Sequence, residues 1–78
     1  MAYLKVTFEN IGTKTLVEKL RANHTKALEV LMYDPYWYWL VVDTKLSQVE
    51  LQGIIHQYNG GAFADVEEVD EDWLDERC

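Results

Sequence analysis

At the start of the chain Leu4, Val6 and Phe8 alternate with Tyr3, Lys5 and Thr7. This is the period-two pattern of a half-buried strand, and it predicts one over 3–9. From residue 13 the period changes. Leu16, Val17 and Leu20 form a short apolar stripe, Thr15 and Glu18 stand at capping-box spacing, and a helix is predicted over 13–23, closed by Asn23 and His24. Residues 27–33 (ALEVLMY) and 36–43 (YWYWLVVD) are strand-like runs separated by the turn pair Asp34-Pro35, which together predict a hairpin. Ser47-Gln48-Val49-Glu50 is a second and clearer capping box. Val49, Leu51, Ile54, Ile55 and Tyr58 follow at helical spacing, and Asn59-Gly60-Gly61 ends the helix. Gly53 costs about 1 kcal/mol inside a helix, a cost that close packing on a sheet would explain. Residues 62–69 (AFADVEEV) read as a strand whose alternation is disturbed near Glu67-Glu68, as by a bulge. In the final segment, 70–78, Asp70 or Asp72 can cap a helical turn that packs Trp73 and Leu74 back onto the body.

The order strand, helix, strand, strand, helix, strand, with right-handed crossovers, predicts an α+β fold of the ferredoxin-like βαββαβ type. It is expected to be a two-layer sandwich, with a four-stranded antiparallel sheet and both helices on one face. Residues 1–69 form the single domain, and 70–78 form an acidic tail or short helical turn. A chain of 78 residues buries only a little over 60% of its unfolded surface, which leaves little chain for an active-site cleft.

Five of the ten aromatic residues fall in the seven-residue window Tyr33-Asp34-Pro35-Tyr36-Trp37-Tyr38-Trp39. Opposed residues of a hairpin share a face, and either even loop length divides the window the same way. Leu28, Val30 and Met32 then lie with Trp37, Trp39 and Val41 under the helices. Leu31 and Tyr33 lie with Tyr36, Tyr38 and Leu40 on an open face, joined by Tyr3 and Phe63. At roughly 50–100 Å² per large side chain, that face reaches the size of an interaction surface. Tyrosine suits such a role because it offers a large area with few rotatable bonds. The expected partner-binding residues are Tyr33, Tyr36, Tyr38 and Leu31. Alternatively, the C-terminal segment folds across the sheet and covers them.

The net charge of −7 is unevenly placed. Residues 1–64 carry six acids and six bases, whereas 65–78 carry eight acids against Arg77 alone. A neutral body with an acidic end disfavours direct nucleic-acid binding. Extended, those acids give one charge per about 5 Å, against roughly 3.4 Å along a DNA strand. That density can engage a basic groove but cannot select one. Asp65, Glu67, Glu68, Asp70, Glu71 and Asp72 are the expected acidic contacts.

Catalytic chemistry is not indicated. His24 and His56 have no carboxylate or cysteine at ligand spacing, Gly60-Gly61 closes a helix rather than opening one, and the loop ENIGTKT lacks the arginine of an acylphosphatase-like site. Neither cofactor nor metal is expected. The lone Cys78 excludes an internal disulfide, and with no signal peptide or transmembrane run a cytoplasmic location is expected. An RNA-recognition-like use of Tyr36 and Tyr38 is opposed by Asp65 and Glu67 on the same sheet.

In type, the aromatic "YWYWLVV" and the acidic "DVEEVDEDWLDE" on so small a chain resemble the inhibitors that bacteriophages use against host defence, anti-CRISPR proteins among them. The resemblance implies stoichiometric inhibition of a host protein or ribonucleoprotein by occupation of its basic, nucleic-acid-binding surface. Tyr33, Tyr36 and Tyr38 would anchor the contact and the acidic residues would pair with Lys or Arg. The alternative is a small ligand-binding or regulatory module that forms a homodimer through its sheet face.

Overall fold

The computed structural model describes residues 2–77; Met1 and Cys78, and with Cys78 the reading of its thiol, lie outside the described residues. The elements in chain order are β1 (Ala2–Phe8), α1 (Thr13–Asn23), β2 (Leu28–Asp34), β3 (Trp39–Thr44), α2 (Gln48–Asn59), β4 (Ala64–Val69) and α3 (Glu71–Arg77). The four strands form one antiparallel sheet in the order β2-β3-β1-β4, and the class is α+β.

Both long helices form where the periodicity places them, with different ends. Ser47 and Glu50 close a reciprocal capping box on α2, each bond 3.1 Å, and Gly60 ends the helix in the left-handed region at φ 68°. Only glycine adopts that conformation without steric cost. By contrast, α1 starts two residues before Thr15: Gly12 is its N-cap and no side chain caps it, so Thr15 and Glu18 lie within the helix. Gly53 is exposed, and a Cβ there would meet nothing within 4 Å. Close packing therefore does not explain that glycine.

The core is one cluster on one face of the sheet. Leu4, Val6 and Phe8 of β1 meet Leu28 and Val30 of β2, Leu40 and Val42 of β3, Ala64 of β4, and the apolar stripes of both long helices, Leu16, Val17 and Leu20 with Leu51 and Ile55. His24, at the end of α1, hydrogen-bonds the Tyr58 hydroxyl at 2.8 Å and tethers α1 to α2. On α2, Gln48 and Gln52 stand one turn apart and donate to the Val66 and Ala64 carbonyls of β4. They satisfy acceptors on an edge strand that would otherwise invite pairing.

The hairpin departs from the expected parity, and the cause is a bulge in β2. Its register is Val30↔Val42 on one side and Met32↔Val41 on the other, with the irregularity at Leu31. The extra residue flips every later side chain of β2 to the opposite face. No irregularity occurs in β4, where the pairing with β1 is continuous from Tyr3↔Val69 to Phe8↔Ala64. Tyr33 stays with Leu40, and Met32 with Val41, as the turn parity requires. Leu28 and Val30, however, now share a face with Leu40 and Val42. The helix-side core therefore contains Leu40, not Trp37 or Trp39, and Met32 lies on the opposite face.

The opposite face is covered by α3. Trp73 meets Trp39 edge-to-face with ring centroids 5.8 Å apart, and the Lys5 ammonium stands 5.8 Å from the Trp39 ring and 5.6 Å from the Trp73 ring. Val41 is 0% exposed although it belongs to this face. Tyr3 also lies here. Burial raises its hydroxyl pKa above the usual value, and Glu71, Asp43 and Asp75 add to the shift, Glu71 also by accepting its hydrogen bond. Because the folded-state value is raised, the contribution of neutral Tyr3 to folding is complete below about pH 10 and is lost as pH rises through the folded-state value. A spectrophotometric alkaline titration should show a late component, ionising above the usual tyrosine range. That late component should vanish in Tyr3→Phe.

Candidate functional site

The most exposed aromatic side chains are gathered at one end of the sheet. Tyr36 is 80% exposed and Trp37 75%. Both sit in the four-residue loop between β2 and β3 rather than in a strand. Asp34 builds this loop. Its carboxylate accepts the backbone N–H of Tyr36 at 2.7 Å and of Trp37 at 3.2 Å, while Pro35 presets its own φ. The tip is thus held by local hydrogen bonds while its two aromatic side chains stand in water.

Tyr38 closes the loop at φ 56°, a conformation uncommon for a bulky residue and costing of order 1 kcal/mol or more. Two contacts hold it there. Its carbonyl accepts the Phe8 N–H at 3.1 Å, and its ring meets the Phe8 ring edge-on at 6.2 Å. Phe63, also exposed, lies across β1 at the same end, where its carbonyl accepts the Glu9 N–H. With aromatic side chains of about 150–250 Å² each, Tyr36, Trp37, Tyr38 and Phe63 expose roughly 500 Å² together. That lies within the range of the largest apolar patches on monomeric proteins, which are often functional.

Beside Tyr38 is an open groove of about 490 Å³ lined by Phe8, Glu9, Asn10, Ile11, Gly12 and Tyr38. One of these residues, Asn10, is held by the buried Asn59. The Asn59 side-chain amide donates to the Ala62 and Phe63 carbonyls, its Oδ1 accepts from the Gly61 N–H, and its backbone carbonyl accepts the Asn10 amide at 3.1 Å. Asn10 has φ 70°. No periodicity marks Asn59 as the organiser of two loops; Asn59-Gly60-Gly61 signals only the end of a helix.

The expected aromatic face therefore exists as a tip, not as a sheet surface. Tyr36 and Tyr38 are on it, and Trp37, assigned to the core by parity, is its third exposed ring. Leu31 is exposed at the bulge and Tyr33 is partly exposed on the helix side, both on edge strand β2. Leu40 is buried and leaves the set, while Tyr3 lies against α3.

The acidic residues also divide. Glu67 pairs with Lys5 at 3.6 Å, Asp70 caps α3 by accepting the Trp73 N–H at 2.8 Å, and Glu71 accompanies Tyr3. Asp65, Glu68 and Asp72 are exposed. The acidic end is a folded edge and helix, and half of these six carboxylates have work within the fold. Among the described residues no group of three His, Cys, Asp or Glu side chains is placed to hold a metal ion, and no helix is long and apolar enough to cross a membrane. Comparison with models of known protein families, with curated proteins and with solved structures gives no match for this chain.

Proposed function

We propose that this chain is a non-catalytic binding protein that anchors on a partner protein through Tyr36 and Trp37. The observation that carries this reading is the exposure of those two rings on a loop that Asp34 holds in place. An exposed indole is costly to display in water, and a pre-ordered loop loses little further entropy on docking. Exposed Asp65, Glu68 and Asp72, with the overall −7, fit a partner with a basic surface and would chiefly speed encounter. In its fuller form, the reading is an inhibitor that occupies a nucleic-acid-binding surface of a host effector, in the manner of phage anti-CRISPR proteins, acting in the host cytoplasm. We also infer that the scaffold is a ferredoxin-like split βαβ sandwich, to which α3 is added on the open face. A sheet-to-sheet homodimer is disfavoured, since α3 lies where a second sheet would pack.

The test is affinity capture with the tagged full chain beside a Tyr36→Ala/Trp37→Ala double variant. Truncating a single aromatic anchor typically costs 2 kcal/mol or more, roughly thirtyfold in affinity, so the double variant should lose the captured partner while its melting temperature is unchanged. Capture should also weaken as salt is raised. Equal capture by the double variant would refute the tip as the anchor.

A further inference from the structure

Asn59 and Gly60 are adjacent in the chain, and that pair carries a reaction of its own. The backbone nitrogen of the residue after an asparagine can attack the side-chain amide carbon. Glycine permits the approach best, because it has no Cβ in the way and the widest freedom of φ and ψ. The Gly60 nitrogen gives up its proton and bonds to the Asn59 Cγ, the bond from Cγ to Nδ2 breaks, and Nδ2 leaves with a proton as ammonia. Water then opens the resulting cyclic imide at either carbonyl, which leaves aspartate or isoaspartate at 59. In an unfolded chain nothing holds the two groups apart.

The fold restrains both of them. Asn59 is 1% exposed. Its Nδ2 donates to the Ala62 carbonyl at 3.3 Å and the Phe63 carbonyl at 3.2 Å, and its Oδ1 accepts the Gly61 N–H at 3.2 Å, so three bonds fix the amide that would be attacked. The nucleophile is engaged as well. As the cap of α2, the Gly60 N–H donates to the His56 carbonyl, and an N–H bonded in its neutral form parts less readily with its proton. Asn10 and Asn23 are exposed, but the residues after them are the bulkier Ile11 and His24.

We propose that Asn59 is a latent deamidation site, closed in the folded protein and open in the unfolded chain, and that its conversion prevents refolding. The product fits its own place badly. A carboxylate only accepts hydrogen bonds, so at 59 it would face the Ala62 and Phe63 carbonyls with no proton to offer and with a buried charge. Isoaspartate adds a carbon to the main chain, which displaces the Gly60 cap and the Asn59 carbonyl that accepts the Asn10 amide. Chains that stay unfolded are thereby removed from the folding pool, whatever the tip binds.

The experiment incubates the full chain at mildly alkaline pH, in buffer and in guanidinium chloride, and assigns the amide-to-acid mass gain to each asparagine by peptide mass spectrometry. In denaturant Asn59 should convert ahead of Asn10 and Asn23. In buffer its conversion should be slower by about tenfold or more, because it waits on opening of the end of α2. Chain converted in denaturant should not regain its helical circular dichroism on dilution, whereas unconverted chain should. Asn59→Asp should melt well below the parent or fail to fold. Equal Asn59 rates in the two solutions, conversion led by Asn10 or Asn23 in denaturant, or no conversion of Asn59 there would overturn the proposal. So would full recovery of the converted chain, or an Asn59→Asp chain that melts with the parent.

Discussion

Leu40→Ala is expected to cost about 3 kcal/mol, whereas Trp37→Ala, three residues earlier, should change stability by less than about 0.5 kcal/mol. Leu40 is 0% exposed in the helix-side core; Trp37 stands at the loop tip. For a chain of this size total stability is expected near 4–12 kcal/mol, so the leucine variant loses a large share of it. The corresponding fall in melting temperature is roughly 10–25 °C, readable by circular dichroism. Face parity without the bulge at Leu31 predicts the reverse order of the two variants. Trp37→Ala more damaging than Leu40→Ala would mean that the hairpin is not paired as described.

Trp73→Ala should have the second largest effect, and a different one. A seven-residue helix has no stability of its own in water, and α3 is held by the contact of Trp73 with Trp39 and Lys5. The edge-to-face pair and the cation contact contribute roughly 1 kcal/mol each, and lost burial of the indole adds to this. A total near 2 kcal/mol is expected. Because Trp73 of α3 packs on Trp39, on the same face as the buried Val41, its release uncovers apolar surface of the sheet. The variant should lose helical signal, bind a hydrophobic dye and self-associate with rising concentration, and Trp73→Phe should restore part of the loss. If Trp73→Ala stayed monomeric, dye-free and fully helical, α3 would not be the cover of that face.

Burial shapes how α3 sits. Lys5 pairs with Glu67, and Glu71, Asp43 and Asp75 act on Tyr3. Aromatic packing and the Lys5 ammonium help to hold the acidic end down. The raised Tyr3 value reports on α3 as well: burial is the first cause, and Glu71, Asp43 and Asp75 further oppose a negative charge there.

The reading of each element depended on how local its cause is. Both long helices, the α2 capping box and the alternation of β1 come from neighbours within four residues, and all three are legible in the chain. Asp34-Pro35 likewise announces a turn, because its carboxylate bonds amides two and three residues on. The aromatic concentration could be seen, and with it Tyr36 and Tyr38 of the candidate site. The face of Trp39 is not legible because parity carries an error from one residue to every later one and a bulge leaves no periodic trace in a seven-residue strand, and Trp37 lies in the loop, where strand parity does not apply. Glu9 and Asn10 had no signal at all, since their neighbours Tyr38 and Asn59 are distant in sequence.

By itself, then, the sequence determined the kind and order of the elements, the uneven charge and the presence of a surplus of large rings. Those follow from short-range sterics, capping and composition. Tertiary structure alone decided which rings are buried and which are displayed. The bulge at Leu31 turned Leu40 inward, the pairing of Trp39 with Trp73 closed the open face, and the Asp34 loop left Tyr36 and Trp37 in water. The physical reason is that a side chain's face depends on strand register and on what packs against it, and both are settled by contacts between residues far apart in the chain.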